Sequence, residues 1–149
     1  MADYNKRIKQ IEHPAGNRVK QTQTPEKYYS EQPCWRFCSR DLKMWTFTEK
    51  DFFTKILPHL ILLESNIWKD ILIDSKKSNH GIALKNLNPL AKKRLTELRL
   101  ELDSIISLRI DGTHRIYGFI SKGAFYILWY DPDHGDNDTC VCRSKKRHT

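Results

Sequence analysis

Apolar and polar residues alternate with a period of two through the C-terminal third of the chain. Successive side chains of a β-strand point to opposite faces, so this alternation predicts strands. Three consecutive strands are expected, at Ser104 to Ile110, Arg115 to Ser121 and Ala124 to Tyr130. Asp-Gly-Thr joins the first two and Lys-Gly joins the last two, and both are turn sequences. The pattern therefore predicts an antiparallel meander.

The lengths of the two turns define an expected register. A three-residue first loop pairs Ile110 with His114, Leu108 with Ile116, and Arg109 with Arg115. A two-residue second turn pairs Ile120 with Phe125, Gly118 with Ile127, and Ile116 with Trp129. One face is then apolar and forms a platform for helices: Ile106, Leu108, Ile110, Ile116, Ile120, Phe125, Ile127 and Trp129. The opposite face is expected to be open and to carry Arg109, Arg115, Tyr117, Phe119, Tyr126 and Tyr130.

Two helical regions are predicted before the meander. Thr48 with Asp51 three residues later is typical of a helix start, and apolar residues continue at helical spacing to about Ile73. Pro58 lies inside this run, so the helix either kinks there or ends near Ile56. Asn88 before Pro89 predicts a second start, with an apolar face that continues to about Arg99.

The first part of the chain has a different character. Residues 1–33 are polar and basic without a hydrophobic period, which predicts a flexible extension. From Trp35 onward a weak alternation predicts a short strand or an extended lead-in. We therefore expect one domain at residues 34–149 of the α+β class, with a helical pair on one face of a small antiparallel sheet.

Charge indicates the kind of partner. The 149 residues contain 26 Lys and Arg against 18 Asp and Glu, a formal charge of +8. Such a balance favours nucleic acid or an acidic protein segment. No apolar stretch has the length of a secretory core or a membrane span, so a cytoplasmic location without a membrane partner is expected.

The four cysteines occur as two close pairs, Cys34 with Cys38 and Cys140 with Cys142. Three residues separate the first pair and one separates the second, whereas structural zinc is typically bound by a two-residue knuckle. Ordinary thiols are the favoured interpretation, and in a reducing compartment no disulfide framework is expected. No metal or cofactor is predicted.

Candidate chemistry concentrates at the end of the last predicted strand. Cations interleaved with aromatic rings on an open sheet suit RNA, although such rings also fill ordinary cross-strand positions. The turn Asp131-Pro132-Asp133-His134 places a histidine that titrates near neutral pH beyond the sheet edge. Other basic residues are candidates for RNA binding: Lys92, Lys93, Arg94, Lys145, Lys146 and Arg147. For the three at 92–94 the alternative is a solvated helix face.

The segment LRIDGTHRIYGFISKGAFYILWYDPDH resembles the C-terminal meander of the RelE/ParE-type toxins of bacterial toxin-antitoxin systems, and SKKRHT resembles a basic ending in one branch. The resemblance spans roughly residues 35–149. It implies a metal-independent endoribonuclease that cleaves ribosome-bound mRNA and is masked by an antitoxin protein. Arg109 and Arg115 match phosphate-contacting arginines, and His134 matches a terminal-strand acid or base. Asp131 is a candidate to orient His134, the alternative being that both simply shape the turn, and Tyr130 is a further catalytic candidate. His80, Arg94 and Lys146 are candidates by charge and by rough position in the family layout.

The chain departs from the RelE pattern because it lacks clear paired lysines before the sheet, so the general base stays open. Two other functions remain as alternatives. One is a non-catalytic protein of the same fold that binds an acidic partner, or a gyrase-directed toxin of the ParE branch. The other is a basic RNA-binding domain, with or without zinc at its cysteines.

Overall fold

In the computed structural model, which describes residues 19–20, 25–135 and 140–142, a five-stranded mixed sheet forms the centre. Its strands are β2 (Trp35–Arg36), β3 (Asn79–Ala83), β5 (Ser104–Asp111), β6 (His114–Ser121) and β7 (Ala124–Asp131), in the order β2-β7-β6-β5-β3. A separate pair joins β1 (Val19–Lys20) to β4 (Leu100–Glu101) in parallel. The α+β class and the antiparallel meander β5-β6-β7 are confirmed.

Two bulges change the predicted register. Leu108 faces Ile116 and Arg109 faces Arg115 as predicted, but Asp111 takes the place expected for Ile110 opposite His114. Between β6 and β7 the register shifts between Tyr117 and Gly118, so the predicted pair of Ile116 with Trp129 is wrong. Tyr130 faces Ile116, and Trp129 faces Tyr117.

The bulge in β7 carries Trp129 from the predicted platform to the other face of the sheet. There its indole N–H donates a hydrogen bond of 3.0 Å to Asp41, and the ring is fully buried. A buried indole N–H without an acceptor is costly, so this bond favours the bulged strand over a regular one.

The helix α1 spans residues 49–64 and covers the first face of the sheet. Thr48 and Asp51 form the predicted capping box at its start. Its second turn, Phe52–Ile56, is wide, and the N–H of Leu57 bonds to the carbonyl of Phe52. Pro58 has no N–H to donate, and the wide turn lets the helix continue through it to Glu64. A second short helix, α2 at Asp70–Asp74, completes the predicted helical region.

The first core lies between these helices and the sheet. Its buried residues are Tyr28, Ile56, Leu60, Leu63, Trp68, Ile71, Ile106, Leu108, Ile116, Ile120, Phe125, Ile127 and Tyr130. Apart from Trp129, the predicted platform is found here, with Ile110 half-buried at its margin. The period of two therefore identified this face correctly.

The second face of the sheet is also covered, so the prediction of helices on one face only is wrong. The helix α3 (Pro89–Glu97) begins at Asn88, whose side chain caps the N–H of Leu90 as predicted. Ala91 and Leu95 of this helix pack against Tyr117 and Phe119 in a second core. The aromatic face that was expected to be open is therefore buried. Burying its two large rings stabilises the folded protein more than leaving them in solvent would.

The strand prediction near Trp35 is confirmed, and β2 pairs in parallel with β7. The sheet is thereby mixed and not purely antiparallel. The strand β3 was not predicted; it pairs with β5 and places His80 opposite Ser107. Within the described ranges, no helix is long and apolar enough to cross a membrane.

Candidate functional site

Two arginines face each other across β5 and β6 where the second face extends beyond its core. Arg109 is exposed and Arg115 is half-buried. An Nη1 of Arg115 donates to the carbonyls of Gly112 at 2.7 Å and His114 at 3.1 Å, which anchors the guanidinium at the turn. Burial, and to a lesser degree the charge of Arg109, lower the pKa of Arg115 from its ordinary value. The predicted clustering of these two cations is confirmed.

His134 lies on the same face, between a phenol and a thiol. Its Nδ1 is 3.2 Å from the hydroxyl of Tyr117 and 3.2 Å from the Sγ of Cys142. Tyr117 is fully buried, and burial, followed by the neighbouring Cys142 and Asp131, raises its pKa far above the ordinary value. The phenol therefore stays neutral and can donate its proton to the imidazole or accept one from it.

Asp131 organises the chain around this histidine. It faces Arg115 across the sheet and is buried, and burial raises the pKa of its carboxyl. Its two oxygens accept hydrogen bonds from the N–H of Asp133 at 2.9 Å and of Val141 at 2.8 Å. The turn and the later segment are thus tied to one carboxylate, and this is the contribution that Asp131 makes to the position of His134.

Backbone bonds complete the frame. The N–H of His134 donates to the carbonyl of Thr113 at 3.0 Å, which joins the turn after β7 to the turn before β6. The N–H of Asn88 donates to Val141 at 2.8 Å, and Leu87 pairs with Cys142. The start of α3 and segment 140–142 therefore lie against each other at the margin of the site.

Arg94 has a different surrounding from the one predicted. Its guanidinium forms two hydrogen bonds to Asp41, of 2.7 and 2.9 Å, and its side chain is 12% exposed. Asp41 also accepts from Trp129, Lys43 and Met44. A guanidinium committed to a buried carboxylate stabilises the fold, so its predicted place in an RNA surface is corrected.

Tyr130 also lies apart from the other candidates. The bulge in β7 turns it to the first face, where it is buried and its hydroxyl is 2.5 Å from the Nδ1 of His114. Burial and then the nearby Asp51 raise the pKa of Tyr130 to about 12. The predicted grouping of Tyr130 with His134 is therefore wrong.

The remaining candidates lie at the margins or outside the described residues. His80 is exposed on β3, in the same cross-strand row as Ser107 and Tyr117. Lys92 is half-exposed and Lys93 exposed on α3. Two groups lie outside the described residues: the basic residues Lys145, Lys146 and Arg147, and most of the predicted extension 1–33.

Sequence reasoning missed one member of the site and gave another a different role. Cys142 was interpreted as an ordinary thiol, with zinc as the alternative, and Tyr117 as an RNA-stacking surface. The signal for both is three-dimensional, since His134 meets Cys142 only after the chain returns beside Asn88. Among the residues that the structure describes, no three His, Cys, Asp or Glu side chains are grouped to hold a metal ion.

Comparison with known proteins found no matching family model, curated protein or solved structure.

Proposed function

We propose that this protein is a metal-independent endoribonuclease that cleaves mRNA on the ribosome, as the toxin of a toxin-antitoxin system of the RelE/ParE type. The observation that carries this proposal is the cross-strand pair of Arg109 and Arg115 on the same face as His134. Guanidinium groups can stabilise the charge of a phosphorane and an imidazole can transfer a proton, and phosphodiester cleavage through the neighbouring 2′-hydroxyl requires both contributions.

In this reaction the 2′-oxygen attacks the adjacent phosphorus and the 5′-oxygen of the next nucleotide leaves. Arg109, being exposed, contacts the scissile phosphate, and Arg115 stabilises the negative charge that develops on the phosphorane. His134 exchanges a proton with one of these two oxygens, as an imidazole can do, and a water molecule exchanges the proton at the other. Tyr117 holds the imidazole in position, and Asp131 holds the turn that carries it.

We expect this site to bind RNA mainly through the phosphate groups of its backbone. Tyr117 and Phe119 are buried, so base stacking on the sheet does not contribute as the sequence had suggested. We assign the flanking nucleotides to the cations Arg109, Lys92 and Lys93 and to the polar side chain of His80, and each phosphate contact by a cation adds salt-dependent affinity. The acidic antitoxin segment would compete for the same charges.

A second function, a non-catalytic or gyrase-directed protein of the same fold, is favoured by one observation. Three large apolar side chains of α1 are more than half exposed, namely Phe53, Ile61 and Leu62. Exposed apolar groups on a helix are typical of protein contacts, which such a function would require.

The deciding experiment is inducible expression in a bacterial host with mapping of mRNA 5′ ends. Wild type is compared with Arg109→Ala and His134→Ala at matched soluble levels. Arg36→Ala is the matched control, because Arg36 is an exposed arginine on the edge strand β2, opposite Tyr126 and away from the Asp131 end of β7. Arrest with new mRNA ends in wild type and Arg36→Ala, lost in the other two variants, is the expected result. Arrest without new ends that persists in His134→Ala would instead support the gyrase-directed alternative.

A further inference from the structure

Two thiols lie beside the candidate site in an unequal arrangement. The Sγ of Cys142 is 3.2 Å from His134 Nδ1 and 3.9 Å from the Sγ of Cys140. Cys142 is partly exposed, whereas Cys140 is buried. One thiol therefore has both an imidazole and access to solvent, and its neighbour has neither solvent nor, among the contacts described, an imidazole.

The surroundings of Cys142 suit an attacking thiol. His134 Nδ1 is placed to accept the thiol proton, and Arg115 interacts electrostatically with Cys142 on the same side. Reactive cysteines are found in such partly exposed, electropositive surroundings, because the thiolate is the nucleophile. Burial raises the pKa of Cys140 to about 11, so this thiol stays protonated and is expected to react only after Cys142 has been oxidised.

We propose that Cys142 is a site of oxidation by hydrogen peroxide and that Cys140 is its resolving thiol, so that segment 140–142 is a dithiol switch beside His134. Tyr117 and Cys142 share the same imidazole nitrogen. Oxidation removes one of these two partners.

The chemistry needs one peroxide for each pair. The Cys142 thiolate attacks one peroxide oxygen, the O–O bond breaks, and the leaving hydroxide takes the proton that His134 had accepted, which gives water and a sulfenic acid. The Cys140 sulfur then attacks the Cys142 sulfur, the S–O bond breaks, and the thiol proton leaves with the hydroxyl as a second water. Two thiols are oxidised to one disulfide, and peroxide is reduced to two waters.

The disulfide requires the two sulfur atoms to approach from 3.9 Å to about 2.05 Å, and the Cys142 sulfur then has no thiol proton to share with His134. Resting on the proposed function, we expect the loss of this hydrogen-bond partner to change RNA cleavage. The oxidation itself does not depend on RNA.

The test uses the full chain with Cys34→Ser and Cys38→Ser, which removes the two exposed thiols and leaves only the pair. The reduced protein is treated with one equivalent of hydrogen peroxide and followed by intact and peptide mass spectrometry. The expected product has lost two hydrogens, within the peptide that contains both residues. Adding Cys140→Ser is expected to yield a sulfenic acid at Cys142 that dimedone traps, and adding Cys142→Ser to slow oxidation by roughly tenfold or more.

His134→Gln tests the role of the imidazole, with circular dichroism to show that the fold persists. Slower oxidation in this variant supports the proposal. Equal rates for Cys140→Ser and Cys142→Ser, or sulfinic acid without any disulfide in the parent chain, would overturn it. Because the readout is a mass, a protein that oxidises as expected but cleaves no RNA would refute the proposed function and leave this inference standing.

Discussion

Arg94 on α3 and Asp41 in the loop after β2 are joined by two hydrogen bonds of 2.7 and 2.9 Å, and the Asp41 side chain is fully buried. The same carboxylate accepts from the indole of Trp129. One buried charge therefore ties together α3, the loop after β2 and the bulged strand β7. This contact holds the helix against the face that continues into the candidate site.

Replacing Arg94 with methionine is expected to lower the free energy of unfolding by about 3 to 5 kcal/mol, because the buried carboxylate loses its charged partner. Urea unfolding of the purified protein measures this difference. Lys93→Met is the matched control, since Lys93 is the exposed neighbour on the same helix, and a change within about 0.5 kcal/mol is expected there. Similar unfolding midpoints for both variants would show that the ion pair is dispensable.

Acid should weaken the fold through Asp41. Burial alone would raise the pKa of this carboxyl, but the hydrogen bonds from Arg94, Lys43, Trp129 and Met44 lower it from 3.8 to about 2. Since the folded pKa is the lower one, the stabilisation is fully present above pH 3.8 and is lost as the pH falls toward 2. The stability advantage of wild type over Asp41→Asn should shrink by of order 2 kcal/mol in this window, measured by urea unfolding at each pH. A constant difference would contradict the assignment.

Gly118 has no room for a side chain. A Cβ at this position would meet the carbonyl of Tyr126 and lie 2.6 Å from Cε1 of Phe125. Gly118→Ala is expected to destabilise the protein by about 1 to 3 kcal/mol or more through overpacking. The matched strand glycine is Gly81, where the nearest atoms would be 3.7 and 3.9 Å away and alanine should be tolerated. Thermal unfolding of both variants tests this; equal melting temperatures would count against the close approach of β6 and β7.

Substituting one tyrosine on each face of the sheet tests which face carries the active centre, once RNA cleavage is confirmed. Tyr117→Phe removes the hydroxyl beside His134 and is expected to reduce the cleavage rate by roughly tenfold and to shift its pH profile. Tyr130→Phe removes a hydroxyl beside His114 on the opposite face and should leave the rate unchanged. Cleavage of a defined RNA by purified ribosome complexes across pH measures both. A larger loss with Tyr130→Phe would place the active centre on the first face.

The candidate site could be predicted only in part. The register that sets Arg109 opposite Arg115 follows from the length of one loop and from the cost of burying a guanidinium. The same reasoning failed for Tyr130, because a bulge in β7 leaves Leu128 as an extra residue opposite Tyr117 and Gly118 and exchanges the faces of Trp129 and Tyr130. A period of two gives no warning of such an insertion.

Short-range sequence patterns are enough to predict the local elements: the capping box at Thr48, the cap at Asn88, and the meander with its two turns. These depend on residues within a few positions of one another, so short patterns are enough. Long-range packing sets the parallel pairing of β2, the covering of the second face by α3 and the contact of His134 with Cys142. The bond between Trp129 and Asp41 joins positions 88 apart, and such contacts are selected by packing and by satisfying buried polar groups, which no local pattern encodes.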